Sequence, residues 1–202
     1  MPRLRLLLLG PPRIEHDGHP IEVDTRKAIA LMAYLAVTQQ PHSREALATL
    51  LWPEYDQARA HAALRRTLSS LNKALGGYGL TVDREAVGLD PDASIWLDLD
   101  QFHERLTECQ THHHPLTEVC PECLKSLTAA AALYRDDFLA GFSLRDSPGF
   151  DDWRFFQNEG LRRELAGALE RLMRGHSARR GYEPAIQYAR RWLALDALHE
   201  PA

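Results

Sequence analysis

Residues 57–77 read QARAHAALRRTLSSLNKALGG, and this stretch decides the fold of the N-terminal half. Its apolar residues recur every three or four positions, which is the periodicity of an amphipathic helix. The repeating positions are Leu64, Leu68, Leu71 and Leu75. The Gly76-Gly77 pair that follows is a typical C-terminal stop. The pattern therefore predicts a helix from about Gln57 to Leu75 with one buried face.

The opposite face of this helix is basic and polar. At about 100° per residue, the positions turned away from Leu64 are Arg59, Ala62, Arg66, Ser69 and Lys73, with Arg65 and Asn72 at the flanks. Arginine makes bidentate contacts to guanine, and Ser, Asn and Lys suit phosphates or base edges. The face carries no acidic residue, whereas a solvated helix face normally mixes both signs. On the charge pattern alone, a solvated face with a few basic residues remains the alternative.

The segments around this helix complete the order of a winged helix: strands, three helices and a hairpin. Strands are predicted over Leu4–Leu9, Arg13–His16 and Pro20–Val23, helices over Thr25–Val37 and from a Ser43 cap to Pro53, and hairpin strands over Leu80–Asp83 and Ala86–Leu89, with Ile95–Leu97 as a further strand. Helix-turn-helix proteins place the recognition helix in the major groove. We therefore predict that DNA contacts Arg59, Arg65, Arg66, Ser69, Asn72 and Lys73 on the third helix. Arg84, in the hairpin turn, is the predicted wing contact.

From Asp98 onwards the regular segments are helical. Helices are predicted over Asp98–Glu108, Cys120–Leu139, Pro148–Arg180 and Glu183–Ala197, with Gly160 as a possible interruption. The change from mixed strands and helices to helices alone predicts a boundary between a winged-helix domain, residues 1–97, and an all-α domain, residues 98–202. Gly181-Tyr182, followed by small residues at helical spacing, resembles part of a tetratricopeptide (TPR) helix pair. We expect a mostly α protein with a small β component, and a helical domain truncated at its C-terminus.

Composition and missing motifs exclude several classes of function. The net charge of −4 means that any DNA surface must be a local patch. Leu4–Leu9 is too short to span a membrane and lacks the features of a signal peptide, so we expect a cytoplasmic protein. Neither a phosphate-binding Gly-x4-Gly-Lys-Ser/Thr loop nor a Gly-x-Ser-x-Gly nucleophile elbow is present. We therefore expect that this protein is not an enzyme.

All three cysteines lie within 15 residues, beside three histidines. Cys109-x2-His112 and Cys120-x2-Cys123 have the spacing of ligand pairs in structural zinc sites. Three thiolates and one imidazole would make a closed site, and His113 or His114 can replace His112. A loop with reduced thiols and chance histidines is one alternative, and a redox pair formed by Cys120 and Cys123 is another. The pattern favours one structural zinc ion.

Several stretches resemble the SARP class of bacterial transcriptional regulators. They are Leu6-Leu7-Leu8-Leu9-Gly10, Gly18-His19-Pro20-Ile21, Lys27-Ala28, Leu35-Ala36, Ser43-Arg44-Glu45-Ala46-Leu47, Leu51-Trp52-Pro53-Glu54 and Ala63-Leu64-Arg65-Arg66-Thr67-Leu68-Ser69-Ser70-Leu71. Tyr134-Arg135-Asp136-Asp137-Phe138-Leu139-Ala140-Gly141-Phe142 and Phe150-Asp151-Asp152-Trp153 resemble the bacterial transcriptional activation domain (BTAD) that follows in that family. Many relatives have a basic residue at the position of Asn72, so the basic face of the helix has fewer positive charges here.

The resemblance implies an OmpR-like winged helix followed by a helical domain related to TPR repeats. It also implies binding to double-stranded promoter DNA, activation through RNA polymerase, and further domains in a longer chain. A protein of a different class remains open: a protein-interaction scaffold that uses the TPR-like domain, with the winged helix contacting protein. Such a scaffold would tolerate neutralisation of Arg59, Arg66 and Lys73, whereas a DNA-binding protein would not.

Overall fold

The computed structural model describes residues 3–112, 115 and 118–195, and its contacts divide the chain into two compact units. Unit 1 comprises Met1–Leu97 and Phe138–Phe156, and unit 2 comprises Asp98–Asp137 and Gln157–Ala202. The division after Leu97 coincides with the domain boundary expected from the sequence. Among the described residues, no helix has both the length and the apolar character needed to cross a bilayer.

Unit 1 begins with strands and helices in the order expected for a winged helix. Its elements are β1 (Leu4–Leu7), β2 (Arg13–His16), β3 (His19–Pro20), α1 (Arg26–Thr38), β4 (His42–Ser43), α2 (Arg44–Leu51), α3 (Gln57–Ala74), β5 (Leu80–Val82), β6 (Ala86–Leu89) and β7 (Ile95–Leu97). They form a four-stranded sheet of order β3-β2-β1-β7 and a three-stranded sheet of order β4-β6-β5. The third predicted strand is shorter than Pro20–Val23 and lies one residue earlier.

Strand β7 pairs with the N-terminal sheet. Leu6 in β1 lies opposite Ile14 in an antiparallel pair and opposite Leu97 in a parallel pair. The sequence predicted Ile95–Leu97 as a further strand without assigning it a partner. It pairs with β1, whose second edge offers backbone partners for the polar groups of β7.

Three capped helices form the core of unit 1. Thr25, Ser43 and Asp56 are the N-caps of α1, α2 and α3, and each side chain accepts a hydrogen bond from the backbone N–H three residues later. Such caps satisfy amide groups that have no partner in the first turn of a helix. The predicted Ser43 cap is confirmed, and the leucine stripe of α3 is buried.

Unit 2 contains helices α4 (Asp98–Glu108), α5 (Pro121–Leu133) and α7 (Tyr182–Leu195). The long α6 (Pro148–Ala178) lies in unit 1 up to Phe156 and in unit 2 from Gln157. Gly160 does not interrupt α6, since one glycine within a long helix costs only about 1 kcal/mol relative to alanine. The predicted C-terminal end of the last helix, Ala197, lies outside the described residues.

The helix predicted over Cys120–Leu139 ends six residues early, at Leu133. Phe138 forms isolated β-bridges with Leu9 and Gly10, and the N–H of Leu139 donates to the carbonyl of Leu8 at 2.9 Å. Leu139 also has a positive φ of 52°, which a helix excludes. Backbone bonding to the end of the N-terminal strand therefore replaces helical hydrogen bonding in this segment.

Segment 138–156 belongs to unit 1 because its aromatic side chains pack there. Phe138 is fully buried, and Trp153 contacts both Phe138 and Tyr34 of α1 in edge-on geometry, with ring centroids 5.7 and 4.9 Å apart. Lys27 of α1 forms a 2.9 Å ion pair with Asp146. The sequence placed this segment in domain 98–202, whereas its contacts join it to residues 1–97.

Candidate nucleic-acid interface and metal centre

The outward face of α3 carries every side chain that the sequence assigned to it. The exposed residues are Arg59, Arg65, Arg66, Ser69, Asn72 and Lys73. Ala62, in the middle of this face, is half-buried. The 18 residues of α3 contain no Asp or Glu, so no carboxylate of the helix itself neutralises its four basic side chains.

The two flanks of the exposed face have different surroundings. Arg65, Ser69 and Asn72 line a groove of about 480 Å³ together with Leu80 and Val82 of β5. Polar and basic side chains of the third helix therefore lie directly beside the hairpin. This is the side on which a helix and a wing can contact the same DNA backbone.

On the other flank, Arg59 lies near the start of α3 and Arg66 lies near its middle. The guanidinium of Arg59 lies over the ring of Tyr55, 4.1 Å from its centroid. Arg66 lines a second depression with Tyr55, Ser70 and Asp24, and Ser70 donates to the Asp24 carboxylate at 2.5 Å. Stacking on a ring holds an arginine extended while its N–H groups remain available to an anion.

The predicted wing residue, Arg84, lies exposed in the turn between β5 and β6. The carboxylate of Asp83 accepts hydrogen bonds from the N–H groups of Glu85 at 2.8 Å and Ala86 at 2.6 Å. These two bonds lower the pKa of Asp83 below its usual value. An ionised Asp83 therefore closes the turn and holds Arg84 at its tip.

Arg44 is a candidate contact residue that the sequence reasoning did not single out. Its Nε donates to the carbonyl of Asp83 at 2.8 Å, and its backbone N–H donates to the carbonyl of Glu85 at 2.9 Å. It also lines the groove that contains Arg65. Arg44 is the first residue of α2, and only the pairing of β4 with β6 brings it to the wing, so no local pattern marks it.

Three of the four predicted metal ligands come together in unit 2. The Nδ1 atom of His112 lies 3.1 Å from Sγ of Cys123 and 3.2 Å from Sγ of Cys120. The ligand atoms of these three residues all lie within 4.8 Å of one another. Cys109 lies outside this group; its buried thiol faces the carbonyls of Arg105 and Cys123, each at 3.7 Å. His113 and His114 lie outside the described residues.

The ends of two helices hold these groups. Cys120 is the N-cap of α5, and its Sγ accepts a hydrogen bond from the N–H of Cys123 at 3.3 Å. Cys109 directly follows the last residue of α4. Burial is the main cause that raises the pKa of the Cys123 thiol to about 11, and hydrogen bonds with the Cys120 and Cys109 thiols add to it. A thiol with this pKa is protonated at neutral pH.

Comparison with known proteins relates the chain to EmbR. The transcriptional regulatory protein EmbR of Mycobacterium bovis and of Mycobacterium tuberculosis is 38% identical to it over 79 residues, or 39% of this chain and 20% of EmbR. The solved structure of Mycobacterium tuberculosis EmbR in complex with a low-affinity phosphopeptide matches 100% of this chain and 62% of the EmbR chain, with a TM-score of 0.65 and 23% identity. The resemblance to SARP-type regulators is confirmed.

The structural match covers the whole chain, and the fold is mostly α with a small β component, as predicted. No protein-family model matches the chain. The aligned sequence spans about a fifth of the length of the curated relatives that it matches.

Proposed function

We propose that this protein is a transcriptional regulator that binds double-stranded DNA through α3 and the β5–β6 wing. One observation carries the proposal: α3 exposes four basic and two small polar side chains and contains no carboxylate. The helix therefore offers a local cationic surface in a chain whose net charge is −4. The major groove of DNA is wide enough to admit an α-helix.

The geometry supports a different DNA contact for each group of these side chains. Arg66 lies near the middle of the exposed face and is suited to bidentate contact with a guanine edge. Arg65, Ser69 and Asn72 face the groove beside the wing, where DNA phosphates would lie. Arg84 at the wing tip and Arg44 beneath it would contact the phosphates of the adjacent backbone. Ala62 is small and would let α3 approach the groove closely.

The proposed regulator is an activator that engages RNA polymerase, as the SARP-type resemblance implies. A polymerase contact fits a helical unit separate from the DNA-reading helix, since α4, α5 and α7 belong to unit 2. EmbR is itself described as a transcriptional regulatory protein. We propose that this chain is located in the cytoplasm. We also propose that its partners include further domains of the same, longer protein.

The experiment begins by recovering the DNA that the purified chain retains from fragmented genomic DNA. Fluorescence anisotropy then measures the dissociation constant for the recovered site across a salt series. The test variant replaces Arg59, Arg66 and Lys73 with alanine. The control variant replaces three exposed basic residues of unit 2, Lys125, Arg163 and Arg174, and so removes the same charge.

We expect the α3 variant to lose at least about 100-fold in affinity, because each base-reading pair contributes about 1–3 kcal/mol and each phosphate contact adds salt-dependent affinity. The slope of log K against log salt should become shallower by about 0.9 for each phosphate contact removed. The unit 2 control should keep both the affinity and the slope. Equal binding by the α3 variant and the wild type would exclude α3 as the reader and favour the interaction scaffold.

A further inference from the structure

We propose that His112, Cys120, Cys123 and Cys109 bind one structural zinc ion that joins the end of α4 to the start of α5. Three thiolates and one imidazole form a closed tetrahedral donor set. Such a site leaves no position open for a substrate, so its role is structural. It is independent of DNA binding, because all four residues belong to unit 2.

The spacing of the donor atoms supports a shared ion. In a tetrahedral site with Zn–S of about 2.3 Å and Zn–N of about 2.0–2.1 Å, the nitrogen and each sulfur lie roughly 3.5 Å apart. The observed separations from His112 Nδ1 are 3.1 and 3.2 Å. One ring N–H can point well at only one sulfur. Two sulfurs at nearly equal distance from one ring nitrogen therefore converge as ligands do around an ion.

Cys109 supplies the fourth ligand. It is the remaining cysteine of the three in the chain. Its thiol is buried against the backbone of Cys123 and hydrogen-bonds the Cys123 thiol. Burial protects a zinc thiolate from solvent and oxidants. Cys109 therefore lies beside Cys123, whose sulfur is 3.1 Å from His112 Nδ1.

The surroundings balance the charge of the bound site. Zinc with three thiolates has a net charge of −1, and the guanidinium of Arg171 lies 3.9 Å from the Cys123 sulfur. Cys120 occupies the N-cap of α5, where the helix dipole and the Cys123 N–H both stabilise a thiolate. The Arg171 guanidinium and the N-terminus of α5 would therefore stabilise the thiolates of Cys123 and Cys120 when the ion is bound.

The test uses the full chain, purified without a histidine tag and without added metal. Elemental analysis should find about one zinc per chain. Replacing the zinc with cobalt should give the intense visible spectrum of tetrahedral, thiolate-bound Co²⁺. Zinc removal should increase amide exchange across residues 105–125 that the structure describes, while protection of α3 stays unchanged.

Variants then identify the ligands. Cys120→Ser combined with Cys123→Ser should abolish zinc retention, and His112→Ala should weaken it. His19→Ala, which changes an exposed histidine of unit 1, should retain one zinc. Cys109→Ser should lower the sulfur-to-cobalt charge-transfer absorbance by about a third, since one of three thiolates is lost. An unchanged absorbance would overturn the assignment of Cys109.

Three results on the unaltered protein would overturn the proposal even if every variant failed to fold. The first is native protein that contains no zinc and takes up none. The second is a disulfide between any two of the cysteines, which would indicate a redox pair. The third is iron in place of zinc.

Discussion

Phe138→Ala should destabilise unit 1, although the sequence places Phe138 in the helical domain. The ring is fully buried and packs edge-on against Trp153 with centroids 5.7 Å apart. Truncation of a fully buried phenylalanine costs about 3–5 kcal/mol through lost burial and the cavity left behind. We expect a loss at the upper part of that range, because the aromatic pair contributes about 0.5–1.5 kcal/mol of its own.

Urea unfolding followed by tryptophan fluorescence measures this loss. With a denaturant dependence of about 2 kcal/mol per molar, the midpoint should fall by about 2 M. Phe156→Ala is the matched control: it makes the same substitution in the same unit at a side chain that is 70% exposed. The control should change the free energy of unfolding by no more than about 0.5 kcal/mol.

The part of the chain that loses stability distinguishes the two possible assignments of segment 138–156, to unit 1 or to the helical domain. Amide exchange should rise first in β1 and in Leu8, which follows β1 and whose carbonyl accepts a hydrogen bond from Leu139. It should also rise in α1, whose Tyr34 contacts Trp153. A loss below about 1 kcal/mol, or one confined to α4 and α5, would refute the assignment of segment 138–156 to unit 1.

Four further predictions follow from single side chains. Arg66→Ala should weaken binding to the selected DNA site by about 1–3 kcal/mol if Arg66 reads a base; an unchanged dissociation constant would show that it does not. Asn72→Arg should tighten binding and steepen the salt slope by about 0.9, since it adds one cation beside the wing. Lys27→Met should lower the free energy of unfolding by about 1–3 kcal/mol in thermal melts, because the ammonium loses its hydrogen bonds to the Leu51 carbonyl and the Ser147 hydroxyl as well as the ion pair with Asp146. The bond from His103 to Glu164 raises the pKa of His103, so its stabilisation is present below pH of about 6.5 and is lost as the pH rises through the raised value. Because both side chains are nearly half exposed, the effect should be a few tenths of a kcal/mol, and His103→Gln should remove this pH dependence from urea midpoints.

Local patterns determined the parts of the fold that depend on neighbours in the chain. The leucine stripe, the Gly76-Gly77 stop and the Ser43 cap act within one or two helical turns, so α2 and α3 could be placed to within a residue. The same periodicity determined which side chains of α3 are exposed. Ligand spacing likewise pointed to His112, Cys120 and Cys123, which the structure brings together, and to Cys109, which lies outside that group.

Long-range pairing determined the rest. Whether β7 joins the hairpin or β1, and whether Phe138 continues α5 or bonds to Leu9, depends on which free backbone edge is within reach. Arg44 becomes a wing residue only through the pairing of β4 with β6. Each of these pairings depends on the relative energies of alternative contacts between residues roughly 40 to 130 positions apart in the sequence. The sequence pattern of a single helix or strand does not show which of these contacts is more stable. The pairing is decided only when all the elements of the unit pack together.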